Sequence, residues 1–144
     1  MASCAIPAVC RPVVLNGIPY FDGGIADAIP VNHALEEGCD RLVVLLSKPR
    51  DYVRKPQGMR FLYARRCRKY PEIVSLIDHR HTAYNKNFRE VFALEKEGRA
   101  FVFAPSRPIQ VGTYSMKEQA ERELYAPGID DFNGQQDALA RFMA

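Results

Sequence analysis

Apolar and polar positions change period several times along this chain, and each change predicts an element. Val13 to Leu15 and Ile18 to Phe21 flank Asn16-Gly17, a strong short hairpin signal. Pro19 inside the second run points to an edge or a short pairing. Arg41 to Ser47 is a continuous apolar run, the pattern of a strand covered on both faces. Ala100 to Phe103 reads as a second apolar strand, closed by Pro105 and Pro108.

Helical spacing lies between and after these runs. Ala2 to Ala5 reads as the end of a helix, stopped before Pro7. Asn32 is placed to cap a short helix over His33 to Glu37, with Gly38 ending it. Lys48 to Gly58, punctuated by Pro49, Pro56 and Gly58, reads as a loop. Met59, Leu62, Tyr63, Cys67 and Tyr70 would share one face of a helix from Met59 to Lys69. Pro71 can open a helix carrying Ile73, Val74 and Ile77. Tyr84, Phe88, Val91 and Phe92 define a further helix from Tyr84 to Glu97, ended by Gly98. Ser115 with Glu118 makes a capping box before a helical stretch that Pro127-Gly128 interrupts. A last helix is expected from Asp131 to Phe142. Strands alternating with helices imply an α/β sheet, with Arg41 to Ser47 and Ala100 to Phe103 inside it.

With 144 residues, 47% hydrophobic and 26% charged, the composition is that of an ordinary globular domain. No apolar run approaches the roughly 20 residues of a membrane-spanning helix. No signal peptide pattern follows Met1, which gives a cytoplasmic expectation. Cys4, Cys10, Cys39 and Cys67 are irregularly spaced and form no Cys-x-x-Cys pair. They read as small buried thiols rather than metal ligands, and no cofactor is expected.

Net charge is only +3, but it is uneven. Lys48 to Lys69 holds nine basic residues against the single acid Asp51. Arg65, Arg66, Arg68 and Lys69 are the candidate contacts to an anionic surface, with a solvated helix face as the plainer alternative. No aromatic interleaving supports nucleic acid.

The candidate chemistry sits at Asp22-Gly23-Gly24. A carboxylate follows a β-type run and precedes two glycines, which allow close approach of another chain or a ligand. Taken alone, such an Asp more often bonds backbone amides in a tight turn. Asp27 lies nearby in a position suited to capping or pinning the loop, while Pro30 and Asn32 set the turn into the next helix. Asp78-His79-Arg80-His81 gathers acid, base and cation, and reads as a helix junction held by side-chain hydrogen bonds.

Ser3-Cys4-Ala5-Ile6-Pro7, Pro12 to Gly17 and Asp22-Gly23-Gly24 together resemble the C-terminal motif block of patatin-like phospholipases. Arg80-His81-Thr82-Ala83-Tyr84-Asn85 and Leu124 to Gly128 are similar to a bacterial subgroup of that family. The resemblance implies a partial three-layer α/β/α fold with a mostly parallel sheet. It makes Asp22 the carboxylate of a Ser-Asp dyad acting on phospholipid or other acyl esters without metal or cofactor. Gly23, Gly24, Asp27, Pro30 and Asn32 would be its supporting positions. The family's Gly-x-Ser-x-Gly nucleophile is absent: Ser3, Ser47, Ser75, Ser106 and Ser115 all lack the paired glycines. The resemblance therefore implies the C-terminal part of a hydrolase, inactive alone. One truncated domain is expected over 1–144, with the motif block and core strands in 1–47 and a mainly helical part in 48–144. The alternative is a non-catalytic binding or regulatory fragment whose basic surface meets anionic membrane or a partner protein.

Overall fold

The computed structural model describes residues 2–106 and 118–144, with side chains of the C-terminal part described from Leu124 onward. It is a mixed α/β structure with two small sheets, one antiparallel and one parallel. The described chain divides into two compact units. One takes residues up to Glu36 together with Val53–Glu90; the other takes Glu37–Tyr52 and the chain from Val91 on.

The first unit opens with a short 3-10 turn at Ala2–Cys4. Strands β1 (Val13–Leu15) and β2 (Ile18–Tyr20) then pair antiparallel, Val13 opposite Tyr20 and Leu15 opposite Ile18. Asn16 and Gly17 both take positive φ, 51° and 80°, as the tight turn between them requires. Val14, Leu15, Ile18 and Tyr20 are exposed on this hairpin. Helix α1 spans Val31–Glu36. Asn32 lies inside it rather than capping it, because the carbonyl of Pro30 already accepts the first helical bond, from Ala34.

Helix α2 covers Arg60–Arg66, shorter than the expected Met59 to Lys69, and is entered through Met59 in the left-handed region. Its buried residue is Tyr63, with Cys67 buried one turn on, whereas Met59 and Leu62 are exposed. The inward face is thus narrower than the sequence spacing suggests, since Tyr63 and Cys67 fill it.

Helix α3 runs unbroken from Pro71 to Lys96. The expected division into two helices near Asp78 to His81 does not occur. No Gly or Pro interrupts this span after Pro71, and Ile77, Tyr84, Phe88 and Val91 form one continuous buried stripe at helical spacing. The helix gives its residues up to Glu90 to the first unit and those from Val91 to the second. In the first unit Ile25, Tyr63 and Ile77 make a buried cluster, with Ala8, Ile73 and Val74 packed against it.

The second unit holds β3 (Leu42–Leu45) and β4 (Ala100–Phe103), paired parallel with Leu42 opposite Ala100. β4 buries Ala100 and Val102. β3, expected to be covered on both faces, is not: Val43 and Leu45 are 41% and 75% exposed. Among the described residues the parallel sheet has just these two strands, so β3 hides only alternate side chains. Arg50, in the loop after β3, donates to both carboxylate oxygens of Glu95 at 2.6 and 2.7 Å, and to the carbonyl of Val102. Its guanidinium also lies 5.1 Å from the centre of the Phe92 ring.

Helices α4 (Glu118–Asn133) and α5 (Gln136–Met143) follow. α4 continues through Pro127-Gly128 where a break was expected. Beyond the proline it is tied down by tertiary contacts: Phe132 stacks on Phe103, and Asp131 accepts the amide of Ser106. The interruption comes instead at Gly134-Gln135. Phe142 of α5 packs on Phe101 and lies under the guanidinium of Arg41. The proposed cap at Ser115 lies outside the described residues. Among those described, no helix is long and apolar enough to cross a membrane.

Leu94 is 3% exposed. Leu94→Ala is expected to lower unfolding free energy by about 3 kcal/mol through lost burial and the cavity left behind. Urea denaturation followed by circular dichroism measures this.

Candidate functional site

Asp22 stands two residues after β2. It does not follow a strand of the parallel pair, where open α/β sheets usually collect their ligands; it follows the hairpin. Its own amide donates to the carbonyl of Ala5 at 3.0 Å, which joins the motif to the start of the chain. Its Oδ1 accepts the amide of Gly24 at 2.8 Å and caps a 3-10 turn over Gly23–Ile25. Ile25 points into the buried cluster, so the turn is fixed from below. A side chain on Gly24 would bring its Cβ within 3.2 Å of Asp22 Oδ1 and 3.7 Å of the Arg80 guanidinium. Glycine at this position keeps the carboxylate and the cation close to the backbone.

Two side chains of α3 hold the loop that follows. Arg80 Nε donates to the carbonyl of Gly24 at 2.9 Å. Asn87 donates to Asp27 Oδ1 at 2.8 Å and to the carbonyl of Ile29 at 3.3 Å. Asp27 Oδ1 also accepts the amide of Ile29 at 3.1 Å, so it forms an Asx turn and a tether at once. Arg80 and Asn87 are seven residues apart, two turns on one helix face. Their link to the motif loop was missed in the sequence. The available signal was polar residues lying along the apolar stripe of Ile77, Tyr84, Phe88 and Val91.

Asn85 holds a second loop to α3. Its side-chain amide pairs with both the amide and the carbonyl of Arg54, at 2.8 and 3.0 Å. The Arg54 guanidinium lies 5.3 Å from the centre of the Tyr84 ring.

The Asp78-His79-Arg80-His81 cluster is spread around α3 in the middle of the helix, not gathered at a junction. Asp78 accepts from the Tyr63 hydroxyl at 2.6 Å and from Arg60 at 3.0 Å. His79 Nδ1 meets the carbonyl of Ser75, and His81 Nε2 meets the Thr82 hydroxyl. Arg80 alone of the four reaches the motif loop. Hydrogen bonds from Tyr63 first and Arg60 second hold the Asp78 carboxyl below the usual carboxylate range. Burial, then the bond to Asp78, pushes the Tyr63 hydroxyl up.

Of the basic candidates, Arg66 is engaged by the fold, donating to the carbonyl of Ala8 at 2.8 Å. Arg65, Arg68 and Lys69 are exposed. The cysteines depart from the expected burial: Cys67 is buried, while Cys4, Cys10 and Cys39 are exposed, and all four are free thiols.

The motif loop and the helix that grips it come from segments that match two different families. Residues 70–144, from just before α3 onward, match the family described as Domain of unknown function (DUF6363), and the chain belongs to that family. Residues 1–35, which hold Asp22 and Asp27, match the Patatin-like phospholipase family. Uncharacterized protein YjjU of Escherichia coli (strain K12) is similar, 32% identical over 134 residues. The alignment covers 88% of this chain and 36% of that protein, so the chain spans little more than a third of its relative's length. No solved structure matches the chain.

The lowered carboxyl of Asp78 stabilises the fold above its unfolded pKa, and that contribution is lost as pH falls through the folded value. Tyr63→Phe removes its leading cause. The Asp78 carboxyl, followed by NMR titration, is expected to move up toward the ordinary value, with acid unfolding starting at higher pH. Asn87→Ala removes the tether on Asp27 and is expected to cost about 1 kcal/mol for each hydrogen bond lost. Faster amide exchange at Ile29, set against unchanged exchange in β4, checks that the loss is local.

Proposed function

We propose that this chain is the acid-bearing portion of a patatin-like serine acyl hydrolase. Asp22 is the carboxylate of a Ser-Asp dyad, and its serine lies on polypeptide beyond these residues. Substrates are phospholipids or other acyl esters. The observation that carries the reading is the way Asp22 is held. Oδ1 is committed to the Gly24 amide, Arg80 grips the next carbonyl, and among the described residues Oδ2 makes no hydrogen bond. A carboxylate aimed in this way has one oxygen fixed and the other available to a proton.

In the reaction, Oδ2 accepts the proton of the serine hydroxyl as the serine oxygen attacks the acyl carbonyl. The tetrahedral intermediate collapses, the protonated Asp22 gives that proton to the departing alcohol, and an acyl-serine remains. Asp22 then takes a proton from water as the water attacks the acyl-serine, and returns it to the serine oxygen as the carboxylic acid leaves. This is nucleophilic catalysis with an adjacent base. Gly23 and Gly24 let the partner segment approach. Asp27, Pro30 and Asn32 keep the loop and α1 in register. In the second unit, the uncovered side of β3 agrees with a parallel sheet covered by further polypeptide.

The chain alone is expected to release no product from p-nitrophenyl acyl esters or phospholipid. Hydrolysis by the isolated chain that Asp22→Asn abolishes would overturn the reading. In a longer protein in which a Gly-x-Ser-x-Gly segment precedes these residues, Asp22→Asn is expected to lower kcat by about 10³-fold or more. A smaller loss, with the fold intact by circular dichroism, would remove Asp22 from the chemistry.

A further inference from the structure

Helix α2 presents large apolar side chains together with cations on its outward face. Tyr63 and Cys67 turn inward, and the residues on the opposite side are Phe61, Leu62 and Arg65, with Arg68 and Lys69 on the turn that follows. Phe61 is 70% exposed, and Met59 at the entry to the helix is 64% exposed. Leu62 is 43% exposed, and Val53 in the preceding loop is 69% exposed. Scattered apolar residues on a surface are ordinary; several large ones within one turn of a helix and its entry, edged by cations, are not.

The basic run around α2 divides by use. Within this unit the Arg54 guanidinium lies over the Tyr84 ring, Arg60 pairs with Asp78, and Arg66 donates to the Ala8 carbonyl. Arg65, Arg68 and Lys69 stay at the surface beside Phe61 and Leu62. Three cations around an exposed aromatic and two long aliphatic side chains match the two layers of an anionic bilayer surface. The cations meet lipid phosphates, and the apolar groups enter the acyl boundary. Nucleic acid would satisfy the charge but offers no apolar phase for Phe61, Leu62 and Met59.

We infer that α2 and its flanking turns, through Met59, Phe61 and Leu62 with Arg65, Arg68 and Lys69, form an interfacial docking element for anionic lipid membrane. The inner side of the same helix supports the motif: Tyr63 packs in one cluster with Ile25, the last residue of the turn that Asp22 caps. A helix seated on lipid by one face and on the motif turn by the other would bring the candidate acid to a membrane substrate. That last consequence rests on the acyl hydrolase reading; the docking itself does not.

The chain has no tryptophan, so Phe61→Trp supplies a single fluorescent probe at an exposed position. Its emission is expected to shift to the blue when phosphatidylcholine vesicles containing phosphatidylglycerol are added, and to stay in place with phosphatidylcholine alone. Changing Arg65, Arg68 and Lys69 to Gln in that background should weaken binding about fivefold per cation removed, and added salt should weaken it in the same direction. Phe61→Ser with Leu62→Ser should weaken co-sedimentation with the anionic vesicles while leaving charge and circular dichroism unchanged. An unmoved emission maximum with anionic vesicles overturns the proposal, as do an equal shift with neutral vesicles and undiminished binding by the three-Gln variant. A blue shift that grows with protein concentration without lipid would assign the face to a second copy and overturn it too. The readout involves no hydrolysis, so its failure is distinct from failure of the role given to Asp22.

Discussion

Two side chains of α3, Arg80 and Asn87, hold the loop on which the functional reading depends. The bonds within the loop from Asp22 to Pro30 are all between near neighbours: the Asp22 cap, the Asp27 turn and the backbone bonds of the turn over Gly23–Ile25. Arg80 and Asn87 connect it to a 26-residue helix that is already fixed by its buried stripe. Buried apolar contact orders the helix, the helix places two polar groups, and those groups hold the loop that carries Asp22 and Asp27.

That chain of dependence crosses the two matched segments. Asp22 and Asp27 lie in the residues similar to patatin-like phospholipases, while Arg80 and Asn87 lie in the DUF6363 segment. Two side chains of the DUF6363 segment therefore support the motif loop in the first unit. In the second unit, Arg50 acts comparably on a different scale. It ties the loop after β3 to Glu95 of α3 and to the backbone of β4.

The hairpin was legible because Asn16-Gly17 satisfies a local demand for positive φ with no help from distant residues. β4 and the start of α3 at Pro71 were legible for similar reasons. Where local signals conflicted with tertiary packing, packing won. Pro127-Gly128 predicts a break, but Phe132 on Phe103 and Asp131 on Ser106 secure the helix beyond it. Asp78 to His81 reads as a junction, yet the apolar stripe runs past it without a breaker. The basic run looked uniform in the sequence, and only the folded contacts separated Arg66, held by Ala8, from Arg65, Arg68 and Lys69.

The sequence by itself determined the α/β character, the hairpin turn, the Asp-Gly-Gly motif and the absence of a Gly-x-Ser-x-Gly nucleophile, because these rest on residue type and near-neighbour geometry. Only the tertiary structure decided which side chains grip the motif loop, that β3 keeps one face open, and which side of α2 turns outward. Those outcomes depend on partners far away in the chain. Periodicity names the apolar face of a helix, but it carries no information about what that face meets.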